Sequence, residues 1–144
     1  MDTQILAPAA ALVGWSLIML FWVLATRFPA LAEAKLDLSK AEPGTRYGDI
    51  ESALPATVNW KSHNFVHLME QPTLFYATIA ILALAGQGTE LNVMLAWGYV
   101  GLRVVHSFWQ SLVNTIPVRV TLFALFTLCL TGLAINAVLA TVFA

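Results

Sequence analysis

The chain has 144 residues, 59% of them hydrophobic and only 10% charged, with a mean hydropathy of +0.77. Soluble domains carry roughly 25% charged residues, so the composition excludes an ordinary water-solvated domain and makes lipid the main solvent. A net charge of −1 leaves no electrostatic footprint for nucleic acid, and that class of partner is set aside.

About 20 consecutive apolar residues cross the hydrocarbon core of a bilayer, and four runs reach that length. They predict an all-α fold, a four-transmembrane-helix bundle forming one integral-membrane domain over residues 1–144. The spans are placed near Ile5–Thr26, Asn64–Gly86, Leu91–Asn114 and Val118–Val142. The strands of a membrane β-barrel would be about ten residues long and strictly alternating, and these runs are too long and too uniform for that. Asp2, rather than a basic cluster, precedes the first run. Its apolar stretch also exceeds the usual signal-peptide core, so a retained span is expected.

Between the first two spans lies the one sizeable polar segment, Arg27–His63. It is longer than ordinary helix connections. Phe28–Leu38 has the alternation of a short amphipathic helix or an extension of the first span, and Pro43-Gly44 and Pro55 then break the chain. The segment reads as a mobile linker or as a cap over a site on its face, with the cap favoured. It holds Arg27, Lys35, Lys40, Arg46 and Lys61, five of the seven basic residues, whereas the turn Gly86–Glu90 has none. By the positive-inside rule the long loop is cytoplasmic and both termini lie outside. Small residues at Ala10, Gly14, Gly98 and Gly101 permit close helix approach. Cys129, the single cysteine, cannot form an internal disulfide and reads as a small packing residue.

Arg103 interrupts the third apolar run, where a charge is costly and usually faces a protein interior with a partner. His63, His67, Glu70 and Leu74 recur on one face of the second span, and Arg103, His106, Gln110 and Asn114 on one face of the third. With a helical rise of ~1.5 Å, Glu70 lies roughly 14 Å beyond Lys61 and Arg103 roughly 16 Å before Asn114. Antiparallel helices would therefore bring the two opposite charges to one level, and an Arg103–Glu70 pair, within one subunit or across an interface, is expected. One such pair needs no further polar groups, yet His63, His67, His106, Gln110, Asn114 and Arg119 converge near the same face. That excess points to a polar or anionic ligand whose apolar part sits in the bilayer. A metal centre at His63, His67, Glu70 and His106 is disfavoured by the adjacent arginine and by the small number of histidines.

Three motifs follow one another along this frame: His63-Asn-Phe-Val-His67-Leu-Met-Glu70-Gln-Pro72, Arg103-Val-Val-His106, and Arg119 after Ile116-Pro117-Val118. In order and spacing, over nearly the whole chain, they resemble the MAPEG family of membrane-associated proteins in eicosanoid and glutathione metabolism. The resemblance implies a homotrimer with sites between subunits, open to the cytoplasm, and glutathione as co-substrate. It further implies Arg119 as the catalytic residue that activates the thiol. Arg27, His63, His67, Glu70, Arg103, His106 and Gln110 would then stand at the positions that hold the thiol peptide. Four positions depart from the family pattern. His63 and His67 replace an arginine and an asparagine, Gln110 replaces a tyrosine, and Val120 stands where a serine follows the span-four arginine.

The expected function is conjugation or reduction of lipophilic electrophiles with glutathione or a related thiol. The alternative is a non-catalytic membrane protein of the same fold that binds a lipid or small anion at its buried polar site.

Overall fold

In the computed structural model, which describes residues 3–143, every regular element is helical. Four long helices carry the chain: α1 (Leu6–Glu33), α3 (Ala56–Leu84), α4 (Glu90–Leu112) and α5 (Ile116–Thr141). The short α2 (Tyr47–Ile50) lies in the long loop, between 3-10 turns at Leu38–Lys40 and Glu51–Ala53. At ~1.5 Å per residue the long helices measure roughly 35–44 Å, against a hydrocarbon core of about 30 Å. By length and composition α1 and α5 are apolar enough to cross a membrane. The other two long helices carry the polar residues.

The central pair is α3 and α4. α3 packs on α1, α4 and α5, while α4 packs most extensively on α5 and also meets α1. Leu12 and Met19 of α1, Leu68, Phe75, Ile79 and Leu82 of α3, Tyr99 of α4, and Phe126 and Leu133 of α5 fill the core. Lipid is as apolar as these side chains, so close packing and interhelical hydrogen bonds hold the bundle rather than exclusion of water. Tyr99 shows both effects. Its ring stacks on Phe75 at 4.3 Å, and its hydroxyl donates to Gln71 Oε1 at 3.2 Å. Gln71 in turn donates to Thr127 Oγ1 at 3.0 Å, which ties α3 to α5. At the opposite end from the loop, Asn136 Nδ2 donates to Asn92 Oδ1 at 2.6 Å and Asn92 Nδ2 to the Gln87 carbonyl at 2.9 Å.

Two helix boundaries differ from the sequence expectation by several residues. α1 runs on to Glu33 through Pro29, and α3 begins at Ala56, eight residues before Asn64. Hydropathy reports where polar side chains begin, whereas a helix continues as long as its backbone bonds close. α5 starts at Ile116, within two residues of the expected Val118, with Pro117 in its first turn, where a missing N–H costs nothing. The turn after α3 uses Gly86 at φ +68°. There the Gln87 amide closes on the Leu82 carbonyl at 2.8 Å. Of the small residues, Gly98 faces Cys129 Sγ, so this cysteine packs the α4–α5 contact, whereas a Cβ at Gly14 or Gly101 would meet nothing within 4 Å in the chain. Asp2 lies outside the described residues.

The loop folds back on the end of the α1–α3 pair. Ala30, Leu31 and Leu54 are buried there, with Leu36, Tyr47, Ile50 and Val58 packed around them. Polar contacts fasten it: Tyr47 hydroxyl to Asn59, Asn59 Nδ2 to the Glu51 carbonyl at 2.8 Å, and His63 to Glu51. Near its start, the Ser39 hydroxyl and amide hold the Asp37 carboxyl below its usual range. The loop is a cap, as favoured above, but it caps the α1–α3 end.

Candidate anion pocket between α3, α4 and α5

α4 presents a buried polar stripe. Arg103, His106, Ser107, Gln110 and Ser111 are all within 3% of full burial, as the spacing of Arg103, His106 and Gln110 predicted. α3 does not present the face expected of it. Its inward positions are Asn64, Leu68, Phe75 and Leu82, while His63, Glu70 and Leu74 point outward. His67 sits at the edge between the two faces and is half-buried.

The expected Arg103–Glu70 pair is therefore not formed within the chain. Among the described residues no ion pair joins them, and Glu70 lies on the surface. The reason is rotational. The inward line of α3 repeats as Asn64, Leu68, Phe75 and Leu82, and it turns the Glu70 direction away from α4.

Arg103 turns instead to His67. One terminal guanidinium nitrogen donates to His67 Nδ1 at 3.0 Å and the other to the His67 carbonyl at 3.1 Å. Arginine has no acceptor, so Nδ1 accepts, and the ring is the tautomer with its proton on Nε2. The guanidinium also lies 4.7 Å over the Phe126 ring, an arrangement that favours a cation. His67 stacks on His106 at 5.1 Å, and His106 meets Phe126 edge-on at 5.5 Å.

Arg119 completes the group from the first turns of α5. The turn between α4 and α5 passes through Asn114 at φ +60°, a left-handed conformation that asparagine tolerates better than most residues. That geometry sets Asn114 Oδ1 to accept from Arg119 Nη1 at 2.9 Å. His67, His106 and Arg119 then line one cavity of about 330 Å³, with Ile116, Val120 and Phe123 as its apolar wall. No carboxylate lines it. Arg103 stands behind His67, so the cavity has one guanidinium and two imidazoles in its wall, a second guanidinium behind it, and no carboxylate in its lining. An anionic group suits it electrostatically, and the wall of Ile116, Val120 and Phe123 suits an apolar one. A larger groove of about 520 Å³ between α3 and α5 is lined by Leu, Ile, Val and Thr with Gln71. It has no titratable side chain and carries no comparable chemistry.

The other expected site residues lie elsewhere in the subunit. Gln110 is buried with its Oε1 unpartnered and does not line the cavity. Arg27 donates to Ser62 Oγ at 2.6 Å and stacks over Tyr47 at 3.7 Å, and His63 is engaged with Glu51. His63, His67 and Glu70 thus diverge. Among the described residues no group of three or more His, Cys, Asp or Glu side chains is placed to hold a metal. Sequence reasoning missed Phe123 and Phe126. The signal was present, because they follow Arg119 at i+4 and i+7 on one helical face.

A family model described as the MAPEG family matches residues 5–139. The chain belongs to that family, and is thus an integral membrane protein of the kind that serves glutathione and eicosanoid metabolism. No curated protein and no solved structure matches it.

Proposed function

We propose that this chain is a thiol-dependent membrane enzyme that conjugates or reduces lipophilic electrophiles with glutathione or a related thiol peptide. The observation that carries the reading is the cavity in which His67, His106 and Arg119 meet beside buried Arg103, with no carboxylate in its lining. A free thiol has a pKa of about 8.5, and a nearby guanidinium favours the thiolate, the actual nucleophile. Arg119 is the residue that stabilises sulfur. In a conjugation, the thiol proton leaves to solvent and sulfur forms a bond to the electrophilic carbon. The carbon–halogen bond breaks, and the halide departs with its electron pair. The acceptor reaches the cavity from the bilayer along the Ile116, Val120 and Phe123 wall.

The reading includes four membrane spans, one for each long helix, in a single domain, and a homotrimer with its long loop cytoplasmic and both termini outside. Glu70 supports the assembly. It is a carboxylate near the middle of a long helix, exposed on the surface of one subunit, where lipid would be a costly neighbour. An adjoining subunit relieves that cost and adds an acid, which on this reading holds the amine of the thiol peptide. Arg27 and His63 are committed to the loop, and their part in peptide binding would require contact with another subunit.

A second reading has its own support. Val120 puts no hydroxyl beside Arg119, and Gln110 does not line the cavity, so the same pocket also suits a non-catalytic protein that binds a lipid or small anion. Purified protein assayed with glutathione and a halogenated aromatic acceptor decides between them. Turnover that collapses in Arg119→Ala is the expected result. Equal near-background rates, with no glutathione binding at millimolar levels, would favour the binding protein.

A further inference from the structure

A second cleft, of about 490 Å³, opens between the end of α1 and the folded loop. It shares no lining residue with the His67–His106–Arg119 cavity. Its walls have two chemistries. Leu24, Phe28 and Leu31 of α1 and Leu38 of the loop form an apolar side, and Phe28 and Leu38 remain 59% and 49% exposed. Arg27 and Arg46 form the polar side, with Glu42 the only carboxylate in the lining.

Both guanidiniums lack a carboxylate partner among the described residues. Arg27 is held in place by Tyr47 beneath it and by Ser62, and its Nε is buried with no acceptor. Arg46 engages Asp49 through its backbone amide and carbonyl. The cleft therefore holds two cations against one anion, with one cation fixed and partly desolvated. It lies at the end of α1, a helix apolar enough to cross a membrane, and the end of a crossing helix is where headgroups meet hydrocarbon.

We infer that this cleft binds an anionic phospholipid, with its phosphate between Arg27 and Arg46 and its acyl chain along Leu24 and Phe28. A phosphate ester accepts several guanidinium hydrogen bonds at once, which supplies acceptors for the idle donors of Arg27. A soluble anion would satisfy the arginines but leave Phe28 and Leu38 uncovered. A neutral lipid would cover those side chains but leave the cleft's positive charge uncompensated. Basic pockets beside membrane helices recognise acidic headgroups on these two terms together. Because Tyr47 and Ser62 tie Arg27 to both the loop and α3, the bound lipid also holds the cap onto the bundle.

The test uses the full chain in phosphatidylcholine nanodiscs containing a trace of phosphatidylglycerol with a photoactivatable acyl chain. Crosslinked peptides are mapped by mass spectrometry. Labelling is expected on residues 24–31 and 38–50, with unlabelled phosphatidylglycerol competing and phosphatidylcholine not. Arg46→Gln should cut it about fivefold, the effect of losing one interfacial arginine, while Arg46→Lys retains most of it. Arg119→Ala should leave labelling unchanged, so failure of the enzymatic reading does not touch this one. Equal competition by phosphatidylcholine would reduce the cleft to apolar packing. Complete competition by inorganic phosphate would make it a soluble-anion site. Either result, or labelling unaffected by Arg46→Gln, overturns the proposal.

Discussion

The fully buried Arg103 guanidinium is held by both the ring and the carbonyl of a single residue, His67, at 3.0 and 3.1 Å. This contact joins α3 to α4, orients the His67 ring against His106, and sets a cation behind the cavity. His67→Ala removes the ring acceptor and leaves a donor of Arg103 unpaired. The expected loss of stability is about 1–3 kcal/mol, read by reversible unfolding in mild detergent. His67→Ala combined with Arg103→Met should be less destabilising than the sum of the single variants. A strictly additive pair would mean that the contact does not couple the two helices.

Glu70 lies on the subunit surface without an ion pair to Arg103, so its role is predicted to be in association. Glu70→Gln should leave helix content and subunit unfolding nearly unchanged, while shifting native mass spectra from trimer toward smaller species. A stable wild-type monomer or dimer across several detergents would contradict the trimer. Unfolding of the Glu70→Gln subunit itself would contradict this assignment of Glu70.

Asn114 is predicted to be a positioning residue for Arg119, through the 2.9 Å hydrogen bond and the left-handed turn that creates it. Asn114→Gly accepts the backbone conformation, so its stability should stay within about 1 kcal/mol of wild type. Turnover should nonetheless fall roughly 10- to 100-fold, because the guanidinium is no longer held in place. Asn114→Ala should lose stability as well, by about 1–2 kcal/mol, from the left-handed backbone. Unchanged turnover in the glycine variant would remove Asn114 from the site.

Arg119→Ala should lower kcat for an apolar electrophile by roughly 10²–10³, the usual effect of deleting one donor to developing charge. Binding of the thiol peptide should weaken less, since charge on sulfur is fully used only in the reaction. Parallel loss of binding and turnover would make Arg119 an anchor for the peptide instead of its activator.

Topology is tested with Cys129 replaced and single cysteines placed at Ala41 or Gln87, using a membrane-impermeant thiol reagent. Ala41 should label from the cytoplasmic side and Gln87 from the opposite side of sealed vesicles. Labelling of Gln87 from the cytoplasm would reverse the orientation.

The sequence alone determined the helical class, the family, and roughly where the four long helices lie. Lipid demands uniform apolar runs of a fixed length, and such runs are visible without knowledge of any contact. It also determined the polar stripe of α4, because a charge such as Arg103 cannot face lipid and must point inward. The tertiary structure decided which face of α3 meets that stripe. Two lines of residues compete on α3, one through His63 and Glu70 and the other through Asn64, Leu68 and Phe75. A rotation of about 100° about the helix axis, one residue step, separates them. Spacing cannot fix that rotation, because it depends on how Phe75 stacks on Tyr99 and how Gln71 reaches Thr127 across the bundle. The same packing assigned Arg103 to His67 instead of Glu70, committed Arg27 and His63 to the loop, and left His67, His106 and Arg119 around one cavity.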